Sequence, residues 1–437
     1  MMDDGAFVPL LPGGIPLLGA LLSLVAWSRP NGLKYCLITV SLISLGSIIG
    51  LSGHLATPPE GLLLLYLLPL AACASLLGQP VHRTHRSAWV MTLVFLGLGL
   101  GVLTNRNAVG QICLLMLLGL IVFLLYRHHT PLWPMSWWGI GVYGLGAVSV
   151  VVSTVADPPF SAVASLVACA MLLPLAPFHD GYLAALTRLP GGLPAFIVVL
   201  FPVVGLHGLA AQMPTVPAVV ARTMALFALI SALLGATRAL AQSRVRLLLA
   251  YGSLSFFSMI WWFVSVAGHT PPQASVFVGA VGLVMSGLLL AWQVIRTRYG
   301  DDIDPQAISG LASSMPHYAV LLVLLALAAM GLPPFGVFAG FMGLLLSLAI
   351  PFSLAVIIIL MAWLAASWYI MNMVQPLLFG TRRSDLQYTD LLRTELASLM
   401  IIVLVLLALG MAPPSLFGPE ATALPTSGIP RSFAWNK

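Results

Sequence analysis

The chain has 437 residues, of which 60% are hydrophobic and only 7% charged, and its mean hydropathy is +1.04. So few charges cannot cover the surface of a water-soluble protein of this length, so the composition describes an all-α integral membrane protein. The net charge of +6 does not indicate nucleic-acid binding, because the basic residues sort by membrane side.

In chain order, runs of roughly 20 apolar residues, the length needed to cross a bilayer, fall at about 8–27, 33–52, 61–79, 88–104, 108–126, 133–153, 160–178, 194–212, 217–237, 246–267, 274–295, 317–345, 347–374 and 396–413. Asp3 and Asp4, with no basic stretch ahead of the first run, argue for a retained helix rather than a cleaved leader. Alternating these fourteen segments across the membrane puts 14 of the 18 Lys and Arg on one side, starting with Arg29 and Lys34 in the first loop. Basic loops mark the cytoplasm, so both termini are expected to face outward, as in a multi-pass bacterial inner (plasma) membrane protein. Trp133, Trp137, Trp138, Trp261 and Trp262 read mostly as interface anchors.

Two stretches carry helix-breaking residues at membrane depth. The first, Leu172 to Leu209, holds Pro174, Pro177, His179, Asp180, Pro194, Pro202, Gly205 and His207; the second, Met330 to Gly343, holds Pro333 and Pro334. Lipid offers no partner for backbone groups that a proline frees, so such spans survive only against neighbours or a polar cavity, as in transporters. Helix breaks are expected at Pro177, Pro202, Pro333 and Pro334.

The four cysteines lie in apolar runs and read as small buried hydrophobes. No metal or iron–sulfur spacing, nucleotide loop or paired haem histidines occur, so no cofactor is expected, and any chemistry belongs to a partner.

Four segments resemble the antiporter-like subunits of respiratory complex I and the Mrp-type cation/proton antiporters. Pro177-Phe178-His179, followed by Arg188 and Pro194, is similar to the family's PFHxWLPxAHxxAP. Ala239 to Ser255, ALAQSRVRLLLAYGSLS, is similar to ALxQxDLKRLLAYSSIS. Ile308 to Pro334 carries Gly310-Leu311, Met315-Pro316 and Gly331-Leu332-Pro333-Pro334, in the manner of GL…MP…GLPP. Asp390 to Pro414, DLLRTELASLM…LGMAPP, resembles the family's last helix. The resemblance implies two inverted repeats, each with a broken helix. It divides the chain into N-terminal helices (1–104), a first repeat (105–267), a second repeat (268–374), and a closing loop, last helix and tail (375–437).

In that family buried Lys, Glu and His carry protons through the bilayer centre, where desolvation brings their ionisation into reach. This sequence departs from the pattern. The family's Glu falls near Leu114–Leu115, one Lys at Val203, a second at Arg246, a His at Phe256 and a last Lys at Phe341; the chain has only Lys34 and Lys437. Arginine does not substitute as a relay, because it stays protonated.

Candidate pathway residues are therefore His207, His179, Asp180, Arg246 and Arg238. Each also has a plain structural reading. His207 would be a neutral histidine bonded to a freed carbonyl, His179–Asp180 a helix cap, and Arg238, Arg244 and Arg246 anchors at a basic membrane face. Glu395 reads as an acid favouring a helix N-terminus.

The expected function is an antiporter-like membrane subunit, without a catalytic centre of its own, coupling proton or sodium movement to a partner's reaction. Its partners would be other membrane or peripheral subunits of a complex I-like, membrane-hydrogenase or inorganic-carbon-uptake (DabB-like) assembly, with membrane lipid around it. The alternatives are a non-conducting anchor and a quinone-reactive oxidoreductase subunit with His179 or His207 at the quinone.

Overall fold

The computed structural model describes residues 8–55, 59–81, 85–105, 107–128, 136–299, 308–347, 353–379 and 389–412. Arg83, Arg106, Arg382 and Arg383, both termini and the side chain of Glu60 lie outside that description. Among the described residues every regular element is helical: α1 (Leu11–Ser23), α2 (Pro30–Leu51), α3 (Pro59–Leu77), α4 (Arg86–Thr104), α5 (Ala108–Arg127), α6 (Ser136–Val155), α7 (Phe160–Leu172), α8 (Asp180–Arg188), α9 (Leu193–Gln212), α10 (Ala218–Leu240), α11 (Val245–Ala267), α12 (Pro272–Tyr299), α13 (Leu311–Ser314), α14 (Pro316–Ala329), α15 (Gly336–Ser347), α16 (Leu354–Leu378) and α17 (Arg393–Met411).

Eleven helices are long and apolar enough to span a membrane, and Gly61–Leu77 is a shorter apolar helix. Two further spans run as pairs, α7 with α8 and α14 with α15, each interrupted by a proline turn. This accounts for the fourteen apolar runs. At the centre α12 is buried from Ala274 to Ile295, and α9 and α11 are nearly so. The helices α1, α2, α5, α6, α10 and α16 show wide apolar outer faces, as lipid-facing helices do.

The two interruptions are chemically different. At the second, Gly331 has φ +70°, its N–H bonds the Ala328 carbonyl and the Leu332 N–H bonds the Leu327 carbonyl. This is a Schellman closure that needs the left-handed glycine, and Pro333 and Pro334 then bar continuation. At the first, residues 173–179, which include Pro174 and Pro177, form a run of turns, with the Leu175 N–H on the Ala170 carbonyl and the Phe178 N–H on the Leu175 carbonyl.

Pro202 does not break its helix; α9 is continuous through it. Residues 193–206 are buried on all sides, so packing keeps the helix continuous through the missing hydrogen bond. The Val198 carbonyl that Pro202 leaves unbonded faces Gly282 of α12, where an added Cβ would sit 3.4 Å from it.

Candidate functional site: two helix breaks and a buried ion cluster

The backbone groups freed at the first break are satisfied by neutral side chains. The Ala176 N–H donates to Ser231 Oγ of α10 (3.1 Å), and Ser258 Oγ of α11 lies 2.7 Å from that hydroxyl. Trp261 Nε1 donates to the Leu173 carbonyl at 3.0 Å. Burying unpaired amides costs several kcal/mol in hydrocarbon, and two serines and an indole remove that cost without a charge.

Just past this break His179 and Asp180 sit side by side, 3.8 Å apart, both largely sheltered. Asp180 and the exposed Arg238 both act electrostatically on Tyr251, so these residues share one neighbourhood at the start of α8. Arg246 stands apart. Its guanidinium donates to the Thr187 carbonyl (3.0 Å) at the end of α8 and to Gln293 Oε1 of α12 (3.2 Å). It therefore closes a helix end and ties three helices together, a role the sequence reading did not give it. His207 lies half-buried on α9 with interactions of its own. Gly205 beside it packs so closely that a Cβ would fall 2.6 Å from the Leu173 nitrogen.

The second break is filled by aromatic rings. Phe341 of α15 stacks on Trp363 of α16 with centroids 3.8 Å apart and planes 16° apart. Phe256 meets Trp363 edge-on at 5.5 Å, Phe277 packs on both rings of the stack, and Phe263 closes the group against Phe341. The Trp363 indole presses directly on the turn, and a Cβ on Gly331 would lie 1.8 Å from it. Two of these rings, Phe256 and Phe341, stand where the resemblance places a titratable His and Lys, and both are almost fully buried. Val203, at another relay position, has no exposure.

Charge is buried elsewhere. Lys34, expected in the first loop, is in the second turn of α2 and 1% exposed. Its ammonium donates to the carbonyls of Leu77 (3.1 Å) and Gln79, closing the C-terminal end of α3. Gln79 is fixed in turn by Trp89 Nε1 (3.1 Å) and by its own bond to the Ser75 carbonyl. Glu395, 2% exposed, accepts from Arg298 Nη2 of α12 at 2.7 Å and from the Leu392 N–H at 2.9 Å, and its charge acts on Lys34. One carboxylate thus pairs with Arg298 and caps α17. Sequence reasoning missed this cluster because a basic residue after a loop arginine reads as an anchor, and a carboxylate in a first turn reads as a cap. The one sequence signal was the scarcity of lysine and of acids within apolar runs.

Close by, Asp390 caps α14 from outside. Its carboxylate accepts the His317 and Tyr318 N–H groups (2.9 and 3.2 Å), the Leu391 N–H (2.8 Å) and the His317 ring (2.7 Å). Partial burial opposes its ionisation, but these hydrogen bonds win and hold its pKa below the usual carboxylate value. Among the described residues no group of three or more His, Cys, Asp or Glu could hold a metal ion.

Residues 159–370, which contain both breaks, match the family model described as NADH:quinone oxidoreductase/Mrp antiporter, TM. Among curated proteins, F(420)H(2) dehydrogenase subunit M of Methanosarcina mazei is 28% identical over 255 residues, covering 55% of this chain and 50% of that one. NADH-quinone oxidoreductase subunit M of Pseudomonas aeruginosa is 25% identical over 199 residues, 44% of this chain and 37% of that one. The matches thus span half or less of these relatives' length. Among solved structures, a chain of the Mrp complex from a Dietzia species superposes with a TM-score of 0.79 at 14% identity, covering 95% of this chain and 96% of its own. A chain of Thermus thermophilus respiratory complex I with bound NADH gives 0.75 at 19% identity, covering 94% and 95%. At these identities the likeness establishes the fold.

Proposed function

We infer that this chain, an antiporter-like membrane subunit similar to those of the NADH:quinone oxidoreductase and Mrp assemblies, serves its complex as a structural arm that conducts no ion along the family's central axis. The observation that carries this reading is the aromatic cluster at the second break. Phe256 and Phe341 stand at relay positions, stacked with Trp363 and Phe277. Packed rings offer a moving proton no titratable group, and an ion among them would face the cost of desolvation. Partner subunits of the same membrane complex are proposed on the strength of the relatives' own assemblies. Placement in a bacterial plasma membrane with outward termini is proposed from the basic-loop asymmetry.

A second reading is favoured by one observation, the His179–Asp180 pair beside Tyr251 at the first break. It keeps a shortened ion route through the first repeat alone. One experiment separates the two. The intact complex is purified in mild detergent, reconstituted in vesicles, and its ion movement per turnover measured with Asp180→Asn and with His207→Ala. The structural-arm reading expects unchanged coupling in both and loss of assembly when the chain is deleted. Reduced coupling in a fully assembled variant would overturn it.

A further inference from the structure

Residues 187–192, which carry the chain from the end of α8 into α9, are gripped from two sides. On one side Arg246 of α11 donates through Nη1 to the carbonyls of Thr187 (3.0 Å) and Leu189 (3.5 Å), and through Nη2 to Gln293 Oε1 of α12 (3.2 Å). On the other side stands the end of α3. Ser75 Oγ donates to the Gly192 carbonyl at 2.8 Å. A Cβ on Gly191 would fall 2.6 Å from Gln79 Oε1, and one on Gly192 would overlap the Gln79 amide nitrogen. Gly191 also has φ +61°, so glycine is required there both by the turn and by its neighbour.

Gln79 has no room to step aside. It is fully buried, its Oε1 accepts from Trp89 Nε1 of α4 at 3.1 Å, and its Nε2 donates to the Ser75 carbonyl at 2.9 Å. Its backbone carbonyl accepts from the Lys34 ammonium of α2. One residue therefore gathers bonds from α2, α3 and α4 and forms the wall against the glycine turn. An unbroken line of hydrogen bonds and close contacts runs from Lys34 through Gln79, the turn and Arg246 to Gln293.

We propose that Gln79 is a positioning residue for the first break: it couples α2, α3 and α4 to α8 through the 187–192 turn, with Arg246 as its counterpart on the opposite flank. Coupling of this kind is carried by a contiguous network in which disturbing one member releases the next. The helix it holds is short. α8 has nine residues and follows the run of turns at 173–179, so its far end does much of the work of placing it. The same grip fixes the His179–Asp180 pair where α8 begins, whether or not the subunit conducts.

The test is amide hydrogen–deuterium exchange on the full chain in lipid nanodiscs, read by mass over short peptides. Gln79→Ala should speed exchange across 180–192 by about tenfold, the loss expected from one or two buried hydrogen bonds, and leave α14 and α15 at the other break unchanged. Arg246→Met should act on the same segment, and the double variant should fall short of the product of the two singles. A Gln79→Ala effect confined to α3 and α4, equal speeding at both breaks, or a double variant that matches the product would each overturn the coupling. Gly192→Ala tests it in the opposite direction with Gln79 in place. It should speed exchange at the end of α3 and the start of α4, and a disturbance confined to 187–193 would overturn the proposal as well.

Discussion

Glu395 is nearly inaccessible and, among the described residues, is the carboxylate that pairs with Arg298. Removing one member of a buried pair leaves an uncompensated charge, which typically costs about 3–5 kcal/mol. Glu395→Ala should therefore lower the melting temperature of the detergent-purified chain sharply. Replacing both partners, Glu395→Leu with Arg298→Met, should recover much of the loss; if the double variant melts no higher than the single, the pair is not the source of the effect. Asp390 makes a pH-dependent prediction. Its folded pKa is depressed, so its contribution is present above the unfolded carboxylate value, near 3.9. It is lost as pH falls through the folded value. Melting temperature should drop on acidification across that window, and Asp390→Asn should remove this part of the dependence. Neither residue advertised its role in the sequence. Lys34 and Glu395 are far apart in the chain, and only the packing of α17 on α3, seen in Ser398 Oγ bonding the Ala74 carbonyl, sets them in one environment. An ordinary cap and a buried counter-ion look alike until tertiary contacts distinguish them.

Among the helices, glycines mark where backbones touch. A Cβ on Gly410 of α17 would lie 1.8 Å from the Pro334 carbonyl of the second break, whereas one on Gly46 of α2 would meet nothing within 4 Å. Gly410→Ala should destabilise by displacing the turn. Gly46→Ala should be neutral or stabilising, by up to about 1 kcal/mol from helix propensity. Thermal melts of the two variants check the contrast, and equal shifts would refute it. Phe341→Ala should cost about 3–5 kcal/mol as a large-to-small change in a filled core, again read by melting. The helices themselves were legible, since the apolar runs overlap the described apolar helices. Pro202 was misread as a break because a proline's effect depends on what packs around it. In α9 the surroundings are tight enough to keep the helix whole. The aromatic stack was half legible: the substitutions at Phe256 and Phe341 show in the sequence, but the arrival of Trp363 from α16 does not.

At the scale of the molecule, the buried ion pair of the described residues lies at helix ends rather than at the two breaks. The described interior near the breaks is held by serines, tyrosines, an indole and aromatic rings, while its buried ions sit where α2, α3, α12 and α17 terminate. If the whole-complex reading is correct, purification in mild detergent should recover the chain with its partner subunits. A chain that comes out alone and fully stable would argue for a free-standing role instead.

The ring pressed against Gly331 also bears on how such a subunit can change over generations. The Trp363 indole occupies the space over the turn, and Phe341, Phe256 and Phe277 surround it. Placing a lysine at position 341 alone would set its ammonium among the rings of Phe263, Phe277 and Trp363, a loss with no compensating gain. Regaining ion movement would require Trp363 to shrink, a partner charge to appear and the cavity to hydrate, each step unfavourable without the others. On the structural-arm reading the stack acts as a ratchet, because packing opposes each single step away from it.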